Sequence, residues 1–199
     1  KLRGAAMKLG QMISMDAGDV LPEELTTILA RLRDSAHFMP PAQLNKILIA
    51  EWGADWRRQF KLFEATPIAA ASIGQVHRAT LSDGKILAIK VQYPGVADSI
   101  DADVDNVASL LRISGLLPST LDIAPLLTEA KRQLHEEADY IREAEQMRLY
   151  RTMLADDPAF VIPTPYDALS GKQVLAMDLI AGHSIETLLD QPQDVRDQA

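Results

Sequence analysis

A turn signal in the middle of the chain constrains the fold most. The sequence Ser-Asp-Gly-Lys at 82–85 separates two segments, 76–81 and 86–92, that are rich in β-branched and other apolar residues. Asp-Gly between such segments favours the tight turn of a β-hairpin. Pro94 and Gly95 follow the second segment and end it. We therefore predict an antiparallel hairpin here, and any fold for this chain must include a sheet at this position.

Helical patterns flank this predicted hairpin on both sides. Residues 1–63 are predicted to be helical, with a break at Pro40 and a helix that ends near Gly53. After the hairpin we predict a helix at 98–114 and one long helix at 122–154. Short strands are predicted at 161–162 and 174–180, and Ser184 is a candidate cap for a last helix. Helices beside an antiparallel sheet predict an α+β fold.

Charge and residue types exclude several classes of protein. The net charge is −8 over 199 residues, which argues against a general nucleic-acid-binding protein. The chain contains no cysteine, so neither disulfides nor thiolate metal sites are possible. Its apolar runs are too short for a transmembrane helix. Because the first residue is Lys1 and residues 191–199 form a polar, unfinished stretch, we expect the chain to be part of a longer protein.

A lysine in the second arm of the hairpin is the first candidate functional residue. Side chains alternate between the two faces of a strand, so one face of 86–92 is predicted to be core and the other to carry Lys90. The predicted core face consists of Leu87, Ile89 and Val91. The other face consists of Ala88, Lys90 and Gln92. The pattern Leu-Ala-Ile-Lys resembles the kinase strand V-A-I-K, in which the lysine contacts nucleotide phosphates and a helical glutamate. The small Ala88 leaves room for a base. Alternatively, Lys90 lies in an edge strand and extends into solvent.

A segment of small residues precedes the hairpin. A kinase has a glycine-rich loop here, because glycine lets backbone N–H groups come close to phosphate. This chain has three alanines and one glycine in the same stretch, namely Ala69, Ala70, Ala71 and Gly74 together with Ser72. The alternative is a strand of small residues packed under a helix.

Two further patterns are weaker when taken alone. Glu136, Asp139 and Glu143 fall on one face if 122–154 is a single helix, which is typical either of a solvated acidic face or of a site for cations such as Lys90 and Lys8. Gly10 stands inside the first predicted helix, where glycine is unfavourable unless a ligand or another backbone comes close.

Taken together, these motifs closely resemble the UbiB family of atypical kinase-like proteins, also called the AarF-domain or ADCK family. The resemblance covers nearly the whole chain, and the alanine-rich loop is its most specific part. The matching segments are Lys8-Leu9-Gly10-Gln11 (the K-x-G-Q motif), the alanine-rich loop at 69–77, Lys90–Gly95, and the segment from Glu137 to Glu143.

The resemblance implies roles for individual residues. Lys90 would contact phosphate and pair with Glu143, while Glu137 and Asp139 would form the family's E-x-D pair near the active site. Residues Ala69, Ala70, Ala71, Ser72 and Gly74 would cover the nucleotide, and Lys8 and Gln11 would lie on a helical extension over the cleft. Met177, Asp178 and Ile180 would belong to the gatekeeper and hinge segment beside the adenine, with Ala88 next to the base.

The implied organisation is a helical extension at 1–63, a kinase-like N-terminal lobe at 64–182 with a small antiparallel sheet and an αC-like helix, and the truncated start of a C-terminal lobe at 183–199. No H-R-D-like or D-F-G segment follows Met177, so the aspartates that hold Mg²⁺ in kinases are expected only in the full-length protein. The C-terminal lobe is therefore expected to be missing.

The implied function is binding of ATP or ADP, with ATP hydrolysis or phosphotransfer to a small molecule, in support of ubiquinone biosynthesis. The alternative is a non-catalytic nucleotide or lipid sensor that assembles biosynthetic enzymes. A conventional protein kinase is least favoured, because the glycine-rich loop is missing. Expected partners are the nucleotide, lipid or quinone precursors and ubiquinone-biosynthesis proteins, with possible self-association of the fragment. The expected location is the cytoplasm or the periphery of a bacterial inner membrane.

Overall fold

The structure is a computed structural model that describes residue 8 and residues 38–113, 123–182, 185–189 and 191–197. Its helices are α1 (Pro41–Trp52), α2 (Val96–Ile113), α3 (Ala124–Ala138), α4 (Tyr140–Met153) and α5 (Gln193–Arg196). Its strands are β1 (Phe60–Phe63), β2 (Ala69–Ala70), β3 (Gly74–Leu81), β4 (Ile86–Gln92) and β5 (Val174–Asp178). Single 3₁₀ turns lie at Trp56–Gln59, Asp167–Leu169 and Ile185–Leu188.

The strands form one antiparallel sheet with the order β1-β3-β4-β5, and the short β2 pairs with the start of β3. The predicted hairpin is confirmed as β3 and β4, and Gly84 in its turn has a φ of 90°, which glycine tolerates best. β4 is flanked on both sides, so that Lys90 lies opposite Val76 on one neighbour and Leu175 on the other. The alternative of an edge-strand lysine is therefore wrong.

Apolar side chains pack on both faces of this sheet. One core lies between the sheet and α2, α3 and α4, and it includes Ile73, Leu134, Tyr140 and Leu175. The other core packs α1 and an aromatic cluster around Trp56 against the opposite face. The predicted core face of β4 belongs to this second core, because its residues Leu87, Ile89 and Val91 are all fully buried. Lys90 consequently points to the α3–α4 side.

The structure corrects three predicted elements. Residues 60–63 form strand β1, so the prediction that 1–63 is helical is wrong at its end. No strand forms at 161–162, although Pro165 makes an isolated bridge to Met177. The long helix predicted at 122–154 is two helices, because the chain leaves helical geometry at Asp139 (φ −91°, ψ 85°).

The α+β prediction is confirmed, while the division into three segments at 63/64 and 182/183 remains a prediction. Ser184 lies outside the described residues. Within the described ranges, no helix combines the length and the apolar character needed to cross a membrane.

Candidate functional site

The side chains of Lys90 and Glu143 form the centre of the site. Lys90 Nζ donates hydrogen bonds to both carboxylate oxygens of Glu143, at 2.8 and 2.9 Å. The two residues are far apart in sequence, so the contact joins the middle of β4 to the first turn of α4. The lysine is 18% exposed and the glutamate 31%, which leaves both groups accessible from one side. The predicted pairing of these residues is confirmed.

The break between α3 and α4 gives Glu143 its position. Asp139 Oδ1 accepts a hydrogen bond from the backbone N–H of Arg142 at 2.9 Å, which is an N-cap for α4. The next residue, Tyr140, is fully buried, and Lys90 Nζ lies 4.9 Å from the centre of its ring. Burial raises the pKa of Tyr140 well above the ordinary value, with a further contribution from the nearby carboxylate of Glu143. The phenol therefore stays neutral beneath the lysine.

A second acidic residue joins three separate segments. Glu137 accepts a hydrogen bond from Lys8 Nζ at 2.7 Å on one oxygen and from Ser72 Oγ at 2.6 Å on the other. This carboxylate connects the alanine-rich loop to α3 and to Lys8, the one described residue of the K-x-G-Q motif. Gln11 lies outside the described residues. The structure thus brings together Lys8, Ser72, Lys90, Glu137 and Glu143, which line a cleft of about 560 Å³.

The alanine-rich segment forms β2 and the turn that leads from β2 into β3. Ala69 and Ala70 form β2 and are exposed, and the N–H of Ala71 donates to the Gly74 carbonyl at 2.9 Å. The alternative of a small-residue strand under a helix is therefore wrong. Gly74 is buried opposite Gln92, where a methyl group would overlap the carbonyl oxygen of Val91. The contact with β4 is sufficient to require glycine at this position, whether or not a phosphate approaches it.

The predicted hinge residues lie at the end of β5. Ala88 pairs with Met177 across β4 and β5, on the face of β4 that carries Lys90, and Ile180 is 45% exposed beyond the strand. The carboxylate of Asp178 accepts hydrogen bonds from Thr164 N and Tyr166 Oη. Burial raises the pKa of Asp178, but these hydrogen bonds outweigh that effect and hold the pKa below its ordinary value. The Asp178 side chain therefore fastens the preceding loop to β5.

The site contains one charged cluster that the sequence did not predict as a unit. Arg132 bonds to Glu129 and, at 2.7 Å, to Glu136, and Arg142 from α4 also contacts Glu136 at 3.2 Å. Hydrogen bonds from Arg132 are the main cause that lowers the pKa of Glu129 to about 2. Arginines thus pair with the acidic face of α3, and the i,i+3 and i,i+4 spacing could have indicated the contacts of Arg132 but not the contact of Arg142 from the next helix.

A buried chain of hydrogen bonds beneath the alanine-rich loop was also missed. Met39 N–H donates to Gln75 Oε1 at 2.7 Å, and the Gln75 amide lies 2.8 Å from His77 Nε2. His77 Nδ1 lies 2.9 Å from the Glu64 carbonyl oxygen. Burial lowers the pKa of His77, although its bond to Glu64 opposes this effect. The neutral ring therefore donates through Nδ1 and accepts through Nε2, and it links the start of α1 to the loop.

Metal ligands are not apparent in the part of the chain that the structure describes. No group of three or more His, Asp or Glu side chains there has an arrangement that could hold a metal ion. The expectation that Mg²⁺ binds only in the full-length protein stays a prediction.

Comparisons with known proteins agree on one family. A model of the ABC1 atypical kinase-like domain matches residues 31–197. The chain is 43% identical over 197 residues to the mitochondrial atypical kinase coq-8 of Caenorhabditis elegans, and it covers 26% of that protein. It is 40% identical over 196 residues to the mitochondrial atypical kinase COQ8 of Saccharomyces cerevisiae, and it covers 39% of that protein. The chain therefore spans well under half the length of these relatives.

A comparison with solved structures finds a similar fold. The complex of Rv3197 from Mycobacterium tuberculosis with erythromycin superposes with a TM-score of 0.63 at 28% sequence identity. The match covers 94% of this chain and 47% of that one.

Proposed function

The chain belongs to the family of ABC1 atypical kinase-like domains, and from this premise we propose that it supplies the phosphate-contacting side of a nucleotide-binding cleft. Membership confirms the predicted resemblance and the kinase-like N-terminal lobe. It also implies nucleotide and metal binding in general. That the nucleotide is ATP or ADP is part of the proposal, as is every activity of the whole protein.

The Lys90–Glu143 ion pair is the observation that carries the proposal. Glu143 holds the ammonium group through two oxygens, so the lysine is oriented before a ligand arrives. A lysine ammonium has three donors, and its partly exposed position leaves it able to contact a phosphate from the cleft. The residues therefore fit the phosphates of a nucleotide, with Ser72 and the alanine-rich loop on one side and Ala88 and Met177 towards the base. ATP, when bound, would supply a transferable phosphoryl group.

The role of Lys90 can be tested by titrating the intact natural protein with ATP and with ADP while its melting temperature is recorded. Lys90→Ala is expected to lose most of the nucleotide-induced shift, because the phosphates lose a charged partner. Lys61→Ala, which removes an exposed lysine from β1, is the matched control and should keep the full shift. An unchanged shift in a folded Lys90→Ala variant would contradict this placement of the nucleotide.

Whether the bound nucleotide is turned over separates two candidate functions. The first is an atypical kinase or ATPase, in which Glu137 and Glu143 hold the cations of the cleft in place. The second is a non-catalytic nucleotide or lipid sensor, and the contacts of Ser72 and Lys8 with Glu137 support it, because protein groups already occupy that carboxylate. Magnesium-dependent ATP hydrolysis that disappears in Lys90→Ala supports the first function and rejects the second. Nucleotide binding without hydrolysis supports the second function and rejects the first.

For the whole protein we propose a role in ubiquinone biosynthesis, on the strength of the resemblance to the UbiB family. Lipids, quinone precursors and proteins of that pathway are then the proposed partners, at the periphery of a membrane. Cells that carry Lys90→Ala as their only copy should contain less ubiquinone than cells with the natural protein. An unchanged ubiquinone content would argue against this role.

A further inference from the structure

Two residues of β4 attach the sheet to the α3–α4 unit, and only the first, Lys90, belongs to the predicted site. The second is Gln92, which lies two positions later on the same face of the strand. Its side chain is 2% exposed, and Nε2 donates to the carbonyl oxygen of Ala138 at 2.6 Å and, over a longer 3.4 Å, to that of Lys172. A buried glutamine that donates to the backbone stabilises the position of that backbone rather than any particular side chain.

The carbonyl oxygen that accepts the shorter of these hydrogen bonds lies at the junction of α3 and α4. Ala138 is the last residue of α3, and the following residue, Asp139, begins α4 by capping it. The last carbonyl groups of a helix have no partner within the helix, so the Gln92 amide satisfies one of them. Gln92 therefore fixes the break between the two helices against the sheet. Glu143 lies four residues beyond Asp139, one helical turn into α4.

We propose that Gln92 is a positioning residue, which holds the start of α4 so that Glu143 meets Lys90. The backbone of β4 is continuous between Lys90 and Gln92, and the chain from Ala138 to Glu143 is short and partly helical. The two contacts thus close a small ring between β4 and the junction of α3 with α4. Without the Gln92 bond, α4 keeps the buried ring of Tyr140 as its anchor but loses the restraint on its first residues. This inference deepens the proposed nucleotide site and rests on it.

The test follows the chemical reactivity of Lys90 in the intact protein without nucleotide. A lysine held by a carboxylate reacts slowly with an acylating reagent such as N-hydroxysuccinimidyl acetate, and mass spectrometry gives the rate at each lysine. Gln92→Met keeps the length of the side chain and removes both donors. We expect it to raise the acylation rate of Lys90 by about fivefold or more, relative to the exposed Lys61, because a buried hydrogen bond to the helix end is lost.

The comparison with Glu143→Gln distinguishes a positioning role from a general loss of stability. Glu143→Gln should also raise the rate, and the double variant should react no faster than Glu143→Gln alone, because both changes act on one contact. Ile89→Val removes a methylene group from the opposite, buried face of β4 and is the control for stability. It should leave the rate at Lys90 within about twofold of that in the natural protein.

Three results would overturn the inference: an unchanged rate in Gln92→Met, additive effects in the double variant, or an equal increase in Ile89→Val. If Gln92→Met does not fold, Gln92→Asn takes its place, since its shorter amide cannot reach the same carbonyl. A natural rate in folded Gln92→Asn would equally reject the proposal. Because no nucleotide is added, failure of the proposed function would appear in the nucleotide titration and leave this readout unaffected.

Discussion

Gly74→Ala tests whether the single glycine of the alanine-rich segment serves the sheet or a bound phosphate. A methyl group at this position would overlap the Val91 carbonyl oxygen and lie 3.0 Å from its carbonyl carbon. Non-bonded carbon atoms prefer a separation of about 3.5–4.0 Å. Both neighbouring atoms belong to the backbone of β4, so neither can rotate away as the end of a side chain could.

The expected cost follows from this overlap. Overpacking of a dense core costs about 1–3 kcal/mol, and we take the upper end because two paired strands must separate. Alanine also lowers the conformational entropy of the unfolded chain, which offsets about 0.4–1 kcal/mol of this cost. The free energy of unfolding should therefore fall by about 2–3 kcal/mol, and the melting temperature by about 4–12 °C for a domain of this size.

Urea unfolding at fixed temperature measures the loss directly, and a nucleotide titration of the same samples measures affinity. Gly182→Ala is the control, because a methyl group there would have no atom within 4 Å. It should change the free energy of unfolding by less than about 0.5 kcal/mol. A Gly74→Ala variant with natural stability but weakened nucleotide binding would refute the packing argument and favour the phosphate role implied by the family.

Substitutions at three other positions test contacts that position the site. Burial lowers the pKa of His77, so the histidine takes up a proton at a higher pH in the unfolded chain than in the folded protein. The free energy of unfolding of the natural protein should therefore fall as the pH is lowered from about 7 to about 5. In urea unfolding, His77→Gln should lose less stability over that interval, and an equal loss would contradict the neutral state assigned to His77. In thermal unfolding, Asp139→Ala should lower stability by about 1 kcal/mol, because it removes the side chain that caps the Arg142 N–H. Asp139→Asn can still accept this hydrogen bond and should lower stability by less. Equal losses of stability in the two variants would count against a capping role. Tyr166→Phe should cost about 1 kcal/mol in the same assay, since it removes the hydrogen bond to Asp178, and natural stability would show that the contact contributes nothing.

Local patterns predicted the β3–β4 hairpin well, because strand alternation and turn chemistry act over a few residues. The Asp-Gly turn located the hairpin, and the alternation around Lys90 assigned both faces of β4 correctly. The pairing of Lys90 with Glu143 came from the resemblance to a family. Charge and periodicity alone favoured the ordinary explanation, a solvated acidic face.

The break at Asp139 was missed because apolar spacing continues across it. Leu134, Tyr140 and Ala144 are all buried against the same core, although they belong to two helices. A one-residue interruption barely alters a helical pattern averaged over several turns. Aspartate is a preferred capping residue, so its presence inside a predicted helix was the available signal.

Polar contacts of buried side chains were the least predictable. Gln75, His77 and Gln92 are fully or almost fully buried, and their partners are mostly backbone groups of distant segments. Such partners leave no trace in residue type or spacing, since every residue has a carbonyl oxygen. The residues were visible only as polar members of otherwise apolar strands.

The two contacts that join β4 to the α3–α4 unit differ in how they withstand mutation. The contact of Lys90 with Glu143 requires two specific side chains, so a substitution at either position leaves the other charge without its partner. Gln92 instead contacts a main-chain oxygen, that of residue 138. This oxygen is present whatever side chain stands at position 138, so the contact persists in any variant there that keeps α3 intact. Among descendants of this chain, loss of Lys90 or Glu143 should therefore be followed by change at the other position, whereas the Gln92 contact itself places no requirement on the side chain at position 138.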